Sequence, residues 1–419
     1  MKKLIFIAAV ILPLASGQTS LTWQEVRQKF EASNPTLRAA QLNIDESRAE
    51  EITAYLRPNP EVGVGLDQVV PFSTQPSAVS GLQVYRPLTN NFPSFSINYL
   101  HERDHKRELR LESARKQTDI AAAGYADQER TLLFNLHNAF DQVLQAKAVQ
   151  QNARENLQYW DKELDVNRKR LAAGDMAQVD LDRLELQRVQ FESDLETALV
   201  SLRTAKIQIL ALLNDRTPID RFDITGPYEF DAQLPPLQDF QSEAAQSRPD
   251  LKEALQTVEL AKANHQLAVA NGSTDPTFSL DLGRNPPVPF YFGFSVSIPL
   301  RIFDRNQGEK AKAAVEVRRS RQAQDATKAQ VFSDVDSAYY TLVSALNLLK
   351  PYRDRYLKLA EDTRNKVTFS YQNGGASLLE YLDAEKSFRD TRLAYLNLIG
   401  SYLTAAAQMN LAVGREVIP

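Results

Sequence analysis

Phe369-Ser-Tyr-Gln-Asn-Gly-Gly-Ala-Ser-Leu-Leu-Glu-Tyr-Leu-Asp-Ala384 has a counterpart two hundred residues earlier, Lys169-Arg-Leu-Ala-Ala-Gly-Asp-Met-Ala-Gln-Val-Asp-Leu-Asp-Arg-Leu184. Gly174 stands opposite Gly374, Asp180 opposite Glu380, Glu185 opposite Glu385 and Gln208 opposite Gln408. Each copy separates two long runs of helical periodicity. Glycine takes the left-handed backbone that reverses a helix. Two long helical hairpins, each turned at a glycine, are the predicted skeleton.

Working outward, only Gly124 weakens the helical pattern from about Arg103 to Ala172. Roughly 70 residues at about 1.5 Å each make a rod on the order of 100 Å long. After Gly174, the residues Leu181, Leu184, Phe191, Leu195, Ala198, Leu202, Ala205, Ile209 and Leu212 keep a 3.5-residue period broken only at Arg188. That is a coiled-coil seam. A second rod is expected from Arg305 to Asn373, interrupted at Pro351, with Phe332, Val335, Tyr339, Leu342, Leu346 and Leu349 on its seam. The final helix carries Tyr381, Ala384, Phe388, Tyr395, Leu398, Tyr402, Ala405, Met409 and Ala412 in the phase of the first return helix.

The segments before the rods repeat as well. Ser33-Asn-Pro35 and Ser247-Arg-Pro249 each precede a helical start, with proline suited to its first turn. Strand alternation follows each: Val62, Val64 and Leu66, then Phe95, Ile97 and Tyr99 in a candidate strand from about Gly81 to Leu100; later Phe278–Leu282 and Phe292–Ile298. The reading is a tandem duplication: 18–214, a linker at 215–236 with a short strand around Phe222 to Thr225, 237–414, and a tail at 415–419.

At the N-terminus, Lys2 and Lys3 precede an apolar run from Leu4 to Leu14 and small residues at Ala15-Ser-Gly17. This predicts a secretory leader over 1–17. The run is too short to span a bilayer, and no other stretch approaches about 20 apolar residues. The net charge is −4, or −6 once the two leader lysines are gone, which argues against a nucleic-acid partner. With no cysteine in the chain, disulfides, thiolate metal sites and a lipid-bearing N-terminal cysteine are excluded. No phosphate-binding glycine loop, Gly-x-Ser-x-Gly or His-Glu-x-x-His occurs, so no enzyme activity and no cofactor are expected.

The strand alternation places Val62, Val64, Leu66, Leu280 and Leu282 on one side and Gly63, Gly65, Asp67, Ser279 and Asp281 on the other. Apolar outside and polar inside is the wall of an outer-membrane barrel. Four strands cannot close one, so several chains would share a barrel. A soluble sheet capping a helical domain is the alternative.

These features together resemble the TolC family of trimeric outer-membrane efflux channels over essentially the whole mature length. The junction Ser297-Ile-Pro-Leu-Arg-Ile-Phe-Asp-Arg-Asn-Gln-Gly308 is similar to the family's strand-to-rod junction, most of all in the CzcC-like branch serving heavy-metal cation efflux. The resemblance implies a mostly α chain with a small β part, forming a homotrimer. Its shared transmembrane β-barrel would have twelve strands, joined to an α-barrel of long coiled-coil helices. It implies outer-membrane lipid around the barrel, a periplasmic extension in a Gram-negative bacterium, a periplasmic adaptor and an inner-membrane transporter of the RND type. Leu171, Ala172, Ala173 and Gly174, with Gln372, Asn373, Gly374 and Gly375, match the family's adaptor-contacting tips. Glu380 and Asp383 match two acidic positions ringing the tunnel mouth. Tyr371 and Asp180 match a tyrosine and an aspartate that bond between neighbouring helices in the closed state. The family's best-known member has an arginine where this chain has Ala376.

From the residues alone, Glu380 and Asp383 share a helix face by their spacing; that face is either a solvated surface or a cation-selecting constriction. His101 and His105 are four apart, a spacing that can hold a metal but equally suits a polar cluster beside the barrel; no metal site is assigned. The competing functions are a periplasmic coiled-coil scaffold or adaptor, and a type I secretion exit duct.

Overall fold

A computed structural model describes residues 19–67, 74–76, 81, 83–85, 92–231, 233–285 and 288–418. The leader at 1–17, much of the loop after Asp67 and the Pro286–Pro287 step lie outside that set. In chain order the elements are β1 (Thr19–Leu21), α1 (Trp23–Ser33), α2 (Pro35–Ala54), β2 (Glu61–Asp67), β3 (Thr74–Pro76), β4 (Gln83–Tyr85), β5 (Phe92–Leu100), α3 (Lys106–Ala172) and α4 (Gln178–Leu212). Then come β6 (Phe222–Ile224), α5 (Leu237–Ser247), α6 (Pro249–Ala270), β7 (Thr277–Asn285), β8 (Val288–Ser297), α7 (Gln307–Pro351), α8 (Leu357–Gln372) and α9 (Leu378–Val413). The chain divides into two compact units. No helix among the described residues is long and apolar enough to cross a membrane.

One unit, 41–125 with 250–328, holds a four-stranded antiparallel sheet in the order β2-β5-β7-β8. The strands form a single sheet because β5 pairs with β7, with Ile97 opposite Leu280 and Phe95 opposite Leu282. Val62 and Val64 lie opposite Ile97 and Phe95, and Phe294 and Phe292 opposite Leu280 and Leu282. Since side chains alternate along a strand, this register collects the apolar residues on one face. Val62, Leu66, Phe292 and Phe294 are exposed there, and Val64 is 83% exposed. The other face carries Gly63, Gly65, Ser94, Ser96, Asn98, Ser279 and Asp281. Gly63 and Gly65 leave room for their cross-strand neighbours: a Cβ would come within 2.6 Å of Ser96 Oγ and 2.5 Å of Ser94 Oγ, so each hydroxyl would have to rotate away. At the start of α3, buried Lys106 pairs with Asp275 at 2.6 Å and donates to the Ser273 carbonyl. The two histidines diverge: His101 packs near Tyr99 and Phe278, while His105 is exposed. Among the described residues no cluster of three or more His, Asp or Glu could hold a metal.

The other unit, 1–40 with 126–249 and 329–419, contains α4, α8 and α9 and the later part of α3 and of α7. Leu181, Leu184, Phe191, Ala198, Ala205 and Ile209 of α4 are buried, as are Tyr381, Ala384, Phe388, Tyr402, Ala405, Met409 and Ala412 of α9. Arg188 breaks the seam because its guanidinium reaches Asp161 of α3 at 2.6 Å. Both return helices end in equivalent locks. Ser33 and Asn34 donate to the carbonyls of Leu213 and Leu212; Ser247 and Arg248 donate to those of Val413 and Ala412. The linker strand β6 pairs in parallel with β1, and Lys147 and Lys206 hold Asp223 at 2.8 and 3.2 Å. After Pro351 the chain makes a π-helical turn, Tyr352–Tyr356, before continuing as α8. Proline has no N–H to donate, and a wider turn absorbs the displaced ladder.

Candidate functional site at the hairpin tips

Both turns close in the same way. Asp175 N–H bonds the Arg170 carbonyl at 2.9 Å and Gly174 N–H that of Leu171; Gly375 N–H bonds the Ser370 carbonyl at 2.7 Å and Gly374 N–H that of Tyr371. Gly174 and Gly374 have φ of 83° and 77°. A side chain in that region is strained. Ala172, Ala173, Gly174, Gln372, Asn373, Gly374 and Gly375 are exposed, and Leu171 is half-buried. The eight tip residues therefore form two small knobs without an ionisable side chain.

Past the glycines the two copies diverge. In the second, Ser377 and Glu380 form a reciprocal capping box: Ser377 Oγ accepts from Glu380 N–H, and Glu380 Oε2 accepts from Ser377 N–H at 2.7 Å and its hydroxyl at 2.8 Å. These bonds hold the Glu380 carboxyl below its usual range. Its contribution to the tip is present above its ordinary value and is lost as pH falls through the lowered one. The first turn has Ala177 at this place and no side-chain cap. Ser377→Ala should cost about 1 kcal/mol, read as a lowered melting temperature; an equal loss for Ala177→Gly would remove the assigned role. Asp383 is exposed one turn on and makes no bond to Glu380.

Beneath the knobs lies an apolar cluster containing Trp160, Leu164, Leu181, Leu184, Phe191, Tyr371, Leu378 and Tyr381. The Tyr371 and Tyr381 rings stack at 4.8 Å, and Tyr381 and Trp160 at 6.1 Å. The Trp160 indole N–H donates to the Leu184 carbonyl at 3.1 Å. The expected Tyr371–Asp180 bond is not the one this chain makes. Tyr371 Oη donates to Asn167 Oδ1 at 3.3 Å, and Arg170 lies 5.2 Å over its ring. Asp180 sits 3.9 Å from Arg183. Burial pushes the Tyr371 hydroxyl up, and Asp180 acts on it only through its charge. Ala376 packs partly buried against this cluster, where an arginine would have to leave it. Sequence reasoning missed Asn167, which is buried. It also missed Ser377, although Ser-x-x-Glu before an apolar run is a readable helix start.

Residues 241–415, which include the second tip, match the family model described as outer membrane efflux protein. The chain carries an outer membrane efflux protein domain. Beyond that domain, the chain is 25% identical to the cobalt-zinc-cadmium resistance protein CzcC of Cupriavidus metallidurans over 94% of its own length and 90% of CzcC. It is 22% identical to the probable outer membrane lipoprotein SilC of Salmonella typhimurium, covering 90% of this chain and 82% of SilC. Its fold matches that of CusC with a TM-score of 0.76 at 20% identity, covering 94% of this chain and 92% of CusC. The chain thus shares its fold with CusC, a protein whose conformational changes accompany folding and transmembrane channel formation. The family match and the full-length likeness to CzcC make this chain an outer-membrane efflux channel.

Proposed function

We propose that three copies of this chain form the exit duct of a tripartite efflux system for divalent metal cations. The observation that carries the duct is the sheet. One face is apolar and exposed, the other is polar, and β2 and β8 are left as edges. Unpaired edges in lipid are costly, and three such sheets joined edge to edge make a barrel of about twelve strands. The apolar character continues past β8 through Ile298, Leu300, Ile302 and Phe303, the last 91% exposed, as suits a membrane boundary. The chain is a passive conduit: the two knobs dock a periplasmic adaptor, and an inner-membrane transporter of the RND type supplies the energy. Export of metal cations rests on the relationship to CzcC.

Deleting the gene should sensitise cells to cobalt, zinc or cadmium, with sensitivity reversed by the wild-type chain. Unchanged metal tolerance combined with drug or protein-export defects would replace the metal reading.

Glu380 and Asp383 are the proposed aperture acids. Three copies bring six carboxylates to the mouth, a field that favours cations. Because the capping box ties Glu380 down, Asp383 carries most of the selectivity. In planar bilayers Asp383→Ala should lower the cation preference more than Glu380→Ala, and the double substitution should raise conductance. Wild-type selectivity in the double variant would remove both residues from the aperture.

A further inference from the structure

Two helical turns below the second knob, α3, α8 and α9 enclose a cluster of carboxyls and phenols. Glu385 of α9 is 7% exposed and accepts a hydrogen bond from Tyr159 of α3, Oη to Oε1 at 3.0 Å. Glu163 follows Tyr159 by one turn on α3 and is half-buried. Tyr381 precedes Glu385 by one turn on α9. It is wholly buried, and its hydroxyl has no partner at hydrogen-bonding geometry, although Tyr159, Glu163 and Glu385 surround it electrostatically. Thr368 Oγ1 of α8 is buried beside Glu385, just short of hydrogen-bonding geometry, and favours its ionised form. The cluster therefore has two carboxyls, two phenols and a threonine hydroxyl.

The compensating charge is small. Arg364 of α8 lies 5.4 Å over the Tyr159 ring and 4.0 Å over Phe388, and favours the ionised form of both carboxyls. On α9, Arg392 is spent on Glu155 of α3 at 2.7 Å, and Arg389 on Asp194 of α4 at 3.7 Å. From α4, Phe191 lines a cavity of about 190 Å³ together with Glu385 and Tyr159. Gln372 of α8 reaches toward Glu163. Two carboxyls thus face one guanidinium, that of Arg364, which donates to the neutral Asn365 side chain at 2.9 Å.

We propose that Glu163 and Glu385 hold a proton between the two hairpins, so that the closed packing of the tips is tight in mild acid and loosens as pH rises. The cluster couples α3 of the first hairpin to α8 and α9 of the second. With the proton bound, the buried site carries no excess charge. Losing it leaves two like charges in a poorly solvated space. The nearest relief is to part α9 from α3 and admit water. Burial pushes both carboxyls above the ordinary range. An acid raised on folding stabilises the fold below its unfolded value and loses that contribution as pH rises toward the folded one. The switch therefore lies above the ordinary carboxylate range. It runs opposite to the Glu380 cap, which weakens in acid.

The consequence for conductance rests on the channel reading, so the test uses a second readout that does not. Full-length purified protein is digested briefly with trypsin, which cuts at Lys169, Arg170 and Arg183 around the first tip, between about pH 6 and pH 9. Cleavage at these sites, normalised to a disordered peptide in the same tube, should rise about threefold or more with pH in the wild type. Glu385→Gln and Glu163→Gln should flatten the profile near its acidic value. Tyr159→Phe removes a bond that favours the ionised carboxyl and should move the midpoint to higher pH, which loss of packing alone would not do. Bilayer conductance should follow the same profile. A flat wild-type digestion profile, or Glu385→Gln and Tyr159→Phe profiles both matching the wild type, would overturn the proposal. If the digestion profile is present but no channel is measured, the function reading fails and the switch stands.

Discussion

Trp160→Ala should unfold the tips while leaving the sheet intact. Trp160 is wholly buried, stacked on Tyr381, tilted against Phe191 at 5.0 Å, and bonded through its indole to the Leu184 carbonyl. One side chain therefore ties α3 to both return helices. Truncating a buried tryptophan costs about 3–5 kcal/mol, because the transfer energy of the ring is lost and a cavity remains. Four long helices at fixed spacing cannot close over that void. Trp160→Phe keeps a ring in the stack and gives up the N–H bond, so it should cost less. The check is thermal unfolding by circular dichroism together with tryptic cleavage around Arg170 and Arg183. Efflux should fall with tip order, while heat-modifiable trimers remain. A melting temperature of Trp160→Ala within the error of the wild type would show that the cluster is not the keystone of the tips.

Val64→Arg is expected to abolish stable insertion in the outer membrane. Val64 is 83% exposed on the apolar face of the sheet, opposite Phe95 on β5. An arginine on the lipid face of a barrel costs about 2–4 kcal/mol at mid-bilayer depth, and the proposed trimer would carry the substitution three times. The matched control is Asp281→Asn on the polar face, which removes a charge where water is expected and should leave assembly unchanged. Trimer bands in unheated outer-membrane fractions report the result. Wild-type trimer levels for Val64→Arg would mean that this face does not meet lipid.

Much of this fold could be read from residue spacing. The 3.5-residue seam of α4 and the matching phase of α9 give the hairpins, and the two glycines give their turns. The alternation at Val62, Val64 and Leu66 gives a strand whose apolar and polar sides are assigned correctly by parity alone. What spacing does not carry is partnership across the chain. The β5–β7 pairing joins residues about 180 positions apart, and nothing local to Ile97 names Leu280. The same limit hid Tyr371's bond to Asn167, 204 residues away. Glu185 and Glu385 occupy equivalent places in the repeat, yet Glu185 meets Arg168 at the surface while Glu385 is buried against Tyr159. Their difference comes from which helices pack over them. Pro351 announces a break in its rod, but the π-helical turn that carries the helix onward depends on how neighbouring contacts hold it.

The edges of the sheet set the order of events during biogenesis. β5 cannot find β7 until the intervening chain, with α3 and α4, has been made and carried past it, so the sheet closes late. Contacts of such long sequence separation form slowly. Even then a lone chain presents two hungry strands, the seven residues of β2 and the ten of β8. Joining them to other copies is a concentration-dependent step, and in the meantime any strand-shaped peptide can compete. If the chain assembles as proposed, the lone monomer is therefore the state most exposed to wrong strand pairing. Overproduction in the absence of membrane should yield aggregates joined through β2 and β8.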